Sequence, residues 1–153
     1  MIVFRLCRER YVNDLSGRGA EINGGRWNGR GTAALYTSSS RALCTIEIVV
    51  HIPAGIVPKD YYLVTIEIPD DAQVSIMSLK DLPGNWNNNP VSSSSQRIGN
   101  AFIAEQKALV MRVPSAIIKD EWNCIINPMH KDFKKVKIVA TEPFSFDTRL
   151  FKK

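Results

Sequence analysis

Apolar residues in this chain come in short runs, and proline closes most of them. Pro53, Pro69, Pro114 and Pro128 each end such a run or stand just past it. Proline has no N–H to continue a helix or an inner strand, so every apolar run is a short strand or a short helix. The longest, Cys44–Ile52, is interrupted by Thr45, Glu47 and His51. None approaches the ~20 apolar residues of a membrane-spanning helix. The first ten residues carry three arginines and no apolar h-region, so neither a signal peptide nor a membrane anchor is expected, and the expected location is the cytoplasm. The 153 residues suit one domain of about 100–200 residues, large enough to bury a core without a disulfide or a metal. Cys7, Cys44 and Cys124 are odd in number and far apart, with only His51 and His130 to join them. No zinc spacing can be built from that set, so no metal site is expected and the thiols are expected buried and free.

Periodicity assigns the runs. Ile2–Leu6 and Ala34–Thr37 read as strands, and Tyr61–Pro69 alternates as a strand with one buried face. Gln73–Met77, Ala108–Val113, Trp122–Asn127, Val136–Ala140 and a last piece at Phe144–Asp147 complete the strand set. Two helices are expected, each opened by serines that can cap it. One runs from about residue 39 to 51, with Leu43, Ile46, Val49 and Val50 at helical spacing, and the other from Ser92–Ser95 to about Gln106. No repeat, linker or change of composition divides the chain. The expectation is therefore a single α+β domain over residues 1–153, rich in strand, with two principal helices.

Charge and glycine are both concentrated near the N-terminus. The formal net charge is +5, and residues 1–41 hold seven of the ten arginines and no lysine. Arginine presents a planar fork suited to phosphate and carboxylate, so an anion site is expected there, while the lysines of residues 131–153 read as solvated surface. Six of the nine glycines fall between Ser16 and Gly31, which reads as an irregular loop approaching a ligand closely. The segment lacks the Lys-Ser/Thr ending of a P-loop and does not match the dinucleotide fingerprint. No Ser-His-Asp set follows from spacing. On residues alone the purpose of the loop stays open.

The order of motifs carries more. Gly24-Gly25-Arg26-Trp27-Asn28 is followed by Leu35-Tyr36-Thr37-Ser38, by Glu47 and His51, by Val113-Pro114-Ser115, by Asn123 through His130, and by Phe146-Asp147-Thr148-Arg149-Leu150. From Phe4 to Leu150 this series resembles the RES-domain family, toxins of bacterial toxin–antitoxin pairs named for an Arg, a Glu and a Ser. Cys44-Thr45-Ile46 stands where the family commonly has an alanine-rich stretch, a departure that bears on helix packing and leaves the register of Glu47 intact.

The resemblance implies a fold similar to ADP-ribosyltransferases and an activity that consumes NAD+ as a substrate, with no cofactor. It places Arg26, Tyr36 and Glu47 as catalytic residues and Ser115, Asn127 and Arg5 as substrate-binding ones. Breaking the nicotinamide–ribose bond puts positive charge on the ribose, as in glycosidases, and suits a carboxylate at the sugar, an aromatic face and donors for the diphosphate. Glu47 lies among Ile46, Ile48, Val49 and Val50, so it is expected half-buried with Arg26 as its partner. Trp27 is expected to anchor the glycine-dense loop, and Ser115 also fits a turn cap after Pro114. Water, inorganic phosphate or a protein stand as alternative acceptors. The implied partners are an Xre-type helix-turn-helix antitoxin and a second toxin copy in a homodimer. A competing reading is a nucleic-acid-binding module, with Trp27 and Tyr36 stacking on bases beside Arg18, Arg26 and Arg30.

Overall fold

Alternation and proline spacing produce seven strands and three helices in a computed structural model that describes residues 1–152. In chain order these are β1 (Ile2–Arg8), α1 (Arg18–Asn23), β2 (Leu35–Ser38), α2 (Arg41–Val49), β3 (Tyr61–Glu67), β4 (Val74–Ile76), α3 (Ser93–Glu105), β5 (Val110–Pro114), β6 (Trp122–Ile126) and β7 (Lys137–Phe144). The strands form one sheet in the order β4-β5-β6-β2-β1-β3-β7. Every pairing is antiparallel except β4 with β5. The architecture is α+β.

The sheet is pinched at one point. β1 pairs with β3 along its whole length, Ile2 opposite Glu67 through to Arg8 opposite Tyr61, yet it meets β2 only at Phe4 and Ser38. Two wings, β4-β5-β6-β2 and β1-β3-β7, therefore share a narrow seam. β2 is short for a local reason: Ser40, two residues past its end, caps α2, its hydroxyl accepting from the Leu43 N–H at 3.1 Å.

Both faces of the central strands are covered. Val110, Met111 and Val113 of β5 and Ile125 and Ile126 of β6 are fully buried, although neighbours on a strand point to opposite faces. Val110 and Ile126 pack with Val64 and Ile66, whereas Met111, Val113 and Ile125 pack with Trp27 and Ile103. A third cluster joins Leu6, Cys44 and Leu63 to Phe146 and Phe151. Phe146 sits edge-on to Tyr61, Phe144 and Phe151 at centroid distances of 5.3, 5.0 and 5.7 Å, a geometry that aromatic quadrupoles favour.

Three local expectations change. The glycine-dense segment is not irregular: it contains α1 and a Gly25–Asn28 bridge, so a short third helix joins the two expected ones. Gly17 at φ 72° and Gly24 at φ 74° flank that helix in the left-handed region, which lets six residues form a helix between two sharp bends. The strand expected at Phe144–Asp147 is absent; β7 runs on to Phe144, and Asp147 then caps a 3-10 turn over Thr148–Phe151. Glycine is required at Gly99, where α3 crosses the Trp27 backbone and a Cβ would strike its carbonyl.

Gly99→Ala is expected to lower stability by about 1–3 kcal/mol through overpacking, whereas Gly19→Ala, in α1 with open space around it, gains roughly 0.5–1 kcal/mol. Urea denaturation of both variants checks the pair. Burial pushes the Cys44 thiol up to about 12 and Cys124 up to about 11. A raised thiol pKa favours the fold fully below the unfolded value of about 8.5 and loses that contribution as pH rises through the folded value. Urea midpoints should therefore fall between pH 9 and 11, with the native thiols inert to disulfide reagents at pH 8, roughly half a unit below the unfolded value.

Candidate active site

Where β1 and β2 diverge, a cleft opens with a cavity of about 210 Å³. β1 contributes Phe4 and Arg5, β2 Tyr36 and Ser38, α2 Glu47 and β6 Asn123. Four residues past Leu43 and three past Cys44, Glu47 falls on the inward stripe of α2. It is half-buried and aimed at the seam.

A tether fixes this carboxylate. Its Oε1 accepts from Ser115 Oγ at 2.8 Å and from Asn123 Nδ2 at 2.6 Å. Asn123 Oδ1 accepts in turn from Ser38 Oγ at 2.7 Å, since β2 and β6 pair in a register that puts Ser38 opposite Asn123. Ser115 is held as well: its oxygen accepts from the backbone N–H groups of Ile117 and Ile118, each at 3.1 Å. It thus caps the turn after β5 and donates to Glu47 at once. Bonds to an ionised acceptor are shorter and stronger than neutral ones, so two donors on one oxygen set the plane of the carboxylate. Among the described residues Oε2 has no hydrogen-bond partner.

Tyr36 is fixed through its hydroxyl, which donates to Asn28 Oδ1 at 2.7 Å and accepts from the Trp27 N–H at 2.9 Å. Asn28 is fully buried and its Nδ2 donates to the carbonyls of Ala20 and Thr32 at 2.8 and 2.9 Å. One amide therefore ties α1, the glycine-dense turn and β2 together. Burial raises the Tyr36 phenol far above its ordinary value, so it stays a neutral donor. A Cβ at Gly25 would strike the Tyr36 hydroxyl, which explains why glycine precedes Arg26. α3 holds the same turn from outside, Gln96 Nε2 donating to Gly25 O at 3.0 Å and Asn100 Oδ1 accepting from the Gly29 N–H at 2.9 Å.

The expected Arg26–Glu47 contact is replaced by another arrangement. Arg26 Nη1 donates to the carbonyls of Trp86 and Asn88 at 2.8 and 3.0 Å, which moors the 83–90 segment to the glycine-dense turn. Burial lowers the Arg26 pKa while the nearby charge of Glu47 pulls it back up; guanidinium and carboxylate sense each other without a hydrogen bond. Arg5 lines the cleft, its Nη1 donating to the carbonyls of Asp14 and Tyr11. Asn127 stands apart. Fully buried, it donates to Ile103 O at 3.0 Å and accepts from the Met129 N–H at 2.9 Å, so both ends of its amide brace the turn after β6. Trp27 is 2% exposed and stacks on Trp86 with ring centroids 6.1 Å apart, the anchor expected of it.

Sequence reasoning thus gathers Arg5, Tyr36, Glu47 and Ser115 and misses Ser38, Asn28 and Asn123. Asn123 opens an apolar strand and Asn28 follows the Gly-Gly-Arg-Trp motif, so both were in view; strand register and a buried amide's partners carry no local signal. Tyr36→Phe would leave the Trp27 N–H and Asn28 Oδ1 unpaired, and unpaired buried groups cost about 1–3 kcal/mol. A loss of that size in the urea midpoint, with the circular dichroism spectrum unchanged, is the expected outcome.

The chain is similar to known proteins along nearly its whole length. The RES domain family matches residues 2–147. The Prs ADP-ribosylating toxin of Sphingobium sp. is 40% identical over 149 residues, covering 96% of this chain and 92% of that protein. Toxin Res of Photorhabdus laumondii is 38% identical over 154 residues, covering 99% and 98%. The M. tuberculosis MbcT–MbcA toxin–antitoxin crystal structure shares the fold, with a TM-score of 0.76 at 19% identity over 94% of this chain and 84% of that one. Among the described residues no helix is long and apolar enough to cross a membrane.

Proposed function

The chain belongs to the RES-domain family, and from that premise we propose that it is the toxin of a toxin–antitoxin pair and an enzyme that breaks the nicotinamide–ribose bond of NAD+. One observation carries the chemistry: a carboxylate tethered through Oε1 by Ser115 and Asn123 and left with Oε2 unbonded at a cleft. A carboxylate held this way is oriented before substrate arrives, and preorganised charge is the largest common source of catalysis.

Bond breaking runs as follows. The electron pair of the C1′–N bond goes to the nicotinamide ring, which enters as a cation and leaves neutral, so no general acid is needed. The ribose is left with oxocarbenium character, and Glu47 Oε2 faces that charge. Water or inorganic phosphate then adds at C1′, giving ADP-ribose and a proton in the first case and its 1-phosphate in the second. Ser115 and Asn123 hold the carboxylate, with Ser38 holding Asn123. Because the Tyr36 hydroxyl is spent on Asn28 and Trp27, its contribution is the ring face, packed against nicotinamide. Arg26 and Arg5 supply positive charge for the diphosphate; Asn127 acts at a distance by bracing the β6 turn.

Transfer of ADP-ribose to a protein is the second reading, favoured by the name of the Sphingobium relative. The MbcT–MbcA complex supports an antitoxin as partner here, and we assign it the Xre helix-turn-helix type, with its C-terminal segment covering the cleft and toxin copies paired in the complex.

Glu47→Gln keeps one oxygen to accept from Ser115 and Asn123 but removes the charge, and is expected to lower nicotinamide release by about 100-fold or more while the protein stays folded and becomes harmless to the host. Release measured with and without phosphate separates the two small acceptors, and label from NAD+ retained on protein identifies the third. Undiminished release by Glu47→Gln would overturn the assignment.

A further inference from the structure

A second cavity, of about 230 Å³, lies on the other side of the tether. Ser115, which donates to Glu47, forms part of its wall together with Trp86 and Trp122. Asn87, Lys119, Asp120 and Glu121 supply further polar groups. The tether thus contributes to both pockets, Glu47, Asn123 and Ser38 to the cleft and Ser115 to the second cavity.

The two indoles are braced from behind. Trp86 stacks on buried Trp27, the rings 24° from parallel. Trp122 carries the Arg112 guanidinium 4.7 Å from its ring centroid, a cation–π contact that fixes the ring. Each has one face occupied by the protein and lines the cavity with the rest. Rigid aromatic walls of this kind suit a flat heteroaromatic guest, because a base offers its π-face irrespective of its edge. Asn87 and Lys119 offer donors and Asp120 and Glu121 offer acceptors, the two kinds of group that a purine edge requires.

Position adds the second half of the argument. Arg26 lines neither cavity, but it is bonded to the backbone of the Trp86 wall, at the Trp86 and Asn88 carbonyls, and feels the charge of the carboxylate. We propose that the Trp86–Trp122 cavity is the adenine subsite: the base stacks there, the diphosphate passes Arg26, and the nicotinamide ribose reaches Glu47 from the far side of the Ser115 tether. This assignment rests on the NAD+ reading above and adds to it the half of the dinucleotide that does not react.

The test compares nicotinamide release from NAD+ and from nicotinamide mononucleotide, the same cation without the adenylate. Trp122→Leu is expected to lower the kcat/KM ratio of NAD+ to mononucleotide by about tenfold, the loss that stacking of one base implies. An unchanged ratio overturns the subsite. Binding of AMP to the Glu47→Gln protein, read by tryptophan quenching, needs no catalysis: saturable quenching that Trp86→Leu or Trp122→Leu abolishes supports the proposal, and no quenching, or quenching that both variants retain, overturns it. Circular dichroism of each variant confirms the fold, and the Trp86 variant decides if the Trp122 variant does not fold. Absence of nicotinamide release from either substrate together with AMP quenching would sink the NAD+ chemistry and leave the purine site standing, so the two failures are distinct.

Discussion

A single residue pair, Phe4 with Ser38, joins the two wings of the sheet, and the site exists because that seam is so short. Had β1 and β2 paired along their full lengths, backbone hydrogen bonds would have closed the space that Arg5, Tyr36 and Glu47 now share. The seam cannot lengthen, because Ser40 ends β2 by capping α2 and the glycine-dense segment ends at Gly31, just before β2 begins. A capping hydroxyl, worth about 1 kcal/mol to a helix, thereby sets the width of a cleft.

Glu47 shows how that cleft is used. A half-buried carboxylate requires partners, and an arginine in direct contact would supply them while neutralising its charge. Ser115 and Asn123 satisfy one oxygen without bringing a charge of their own. Arg26 is kept back by the carbonyls of Trp86 and Asn88, close enough to act on the electrostatics of the site without quenching it. The same mooring orders the 83–90 segment and puts Trp86 against Trp27, so one side chain couples the glycine-dense turn to the wall of the second cavity.

Asn28 plays the corresponding part for Tyr36. A buried amide satisfied by backbone carbonyls and one phenol turns six clustered glycines from an expected irregular loop into a fixed turn containing a helix. Glycine here serves close packing as much as freedom of the backbone. Gly25 lies against the Tyr36 hydroxyl, and Gly99 makes room for Trp27 from the opposite element.

Much of this was legible in residue order. Alternation marked Tyr61–Glu67, proline marked the ends of β5 and β6, serines marked the starts of α2 and α3, and the spacing of Arg26, Tyr36, Glu47 and Ser115 pointed to the family. These are local signals: a period, a cap or a breaker acts within a few residues and is written in them. What the tertiary structure alone decided was partnership. Glu47 bonds to Ser115 and Asn123 rather than to Arg26, Asn127 braces a turn rather than the cleft, and residues 16–31 fold around one buried amide. Each outcome depends on strand register and on which polar atoms lose water together, and those are set by contacts between distant residues, such as Glu47 and Asn123, 76 positions apart, which no local pattern encodes.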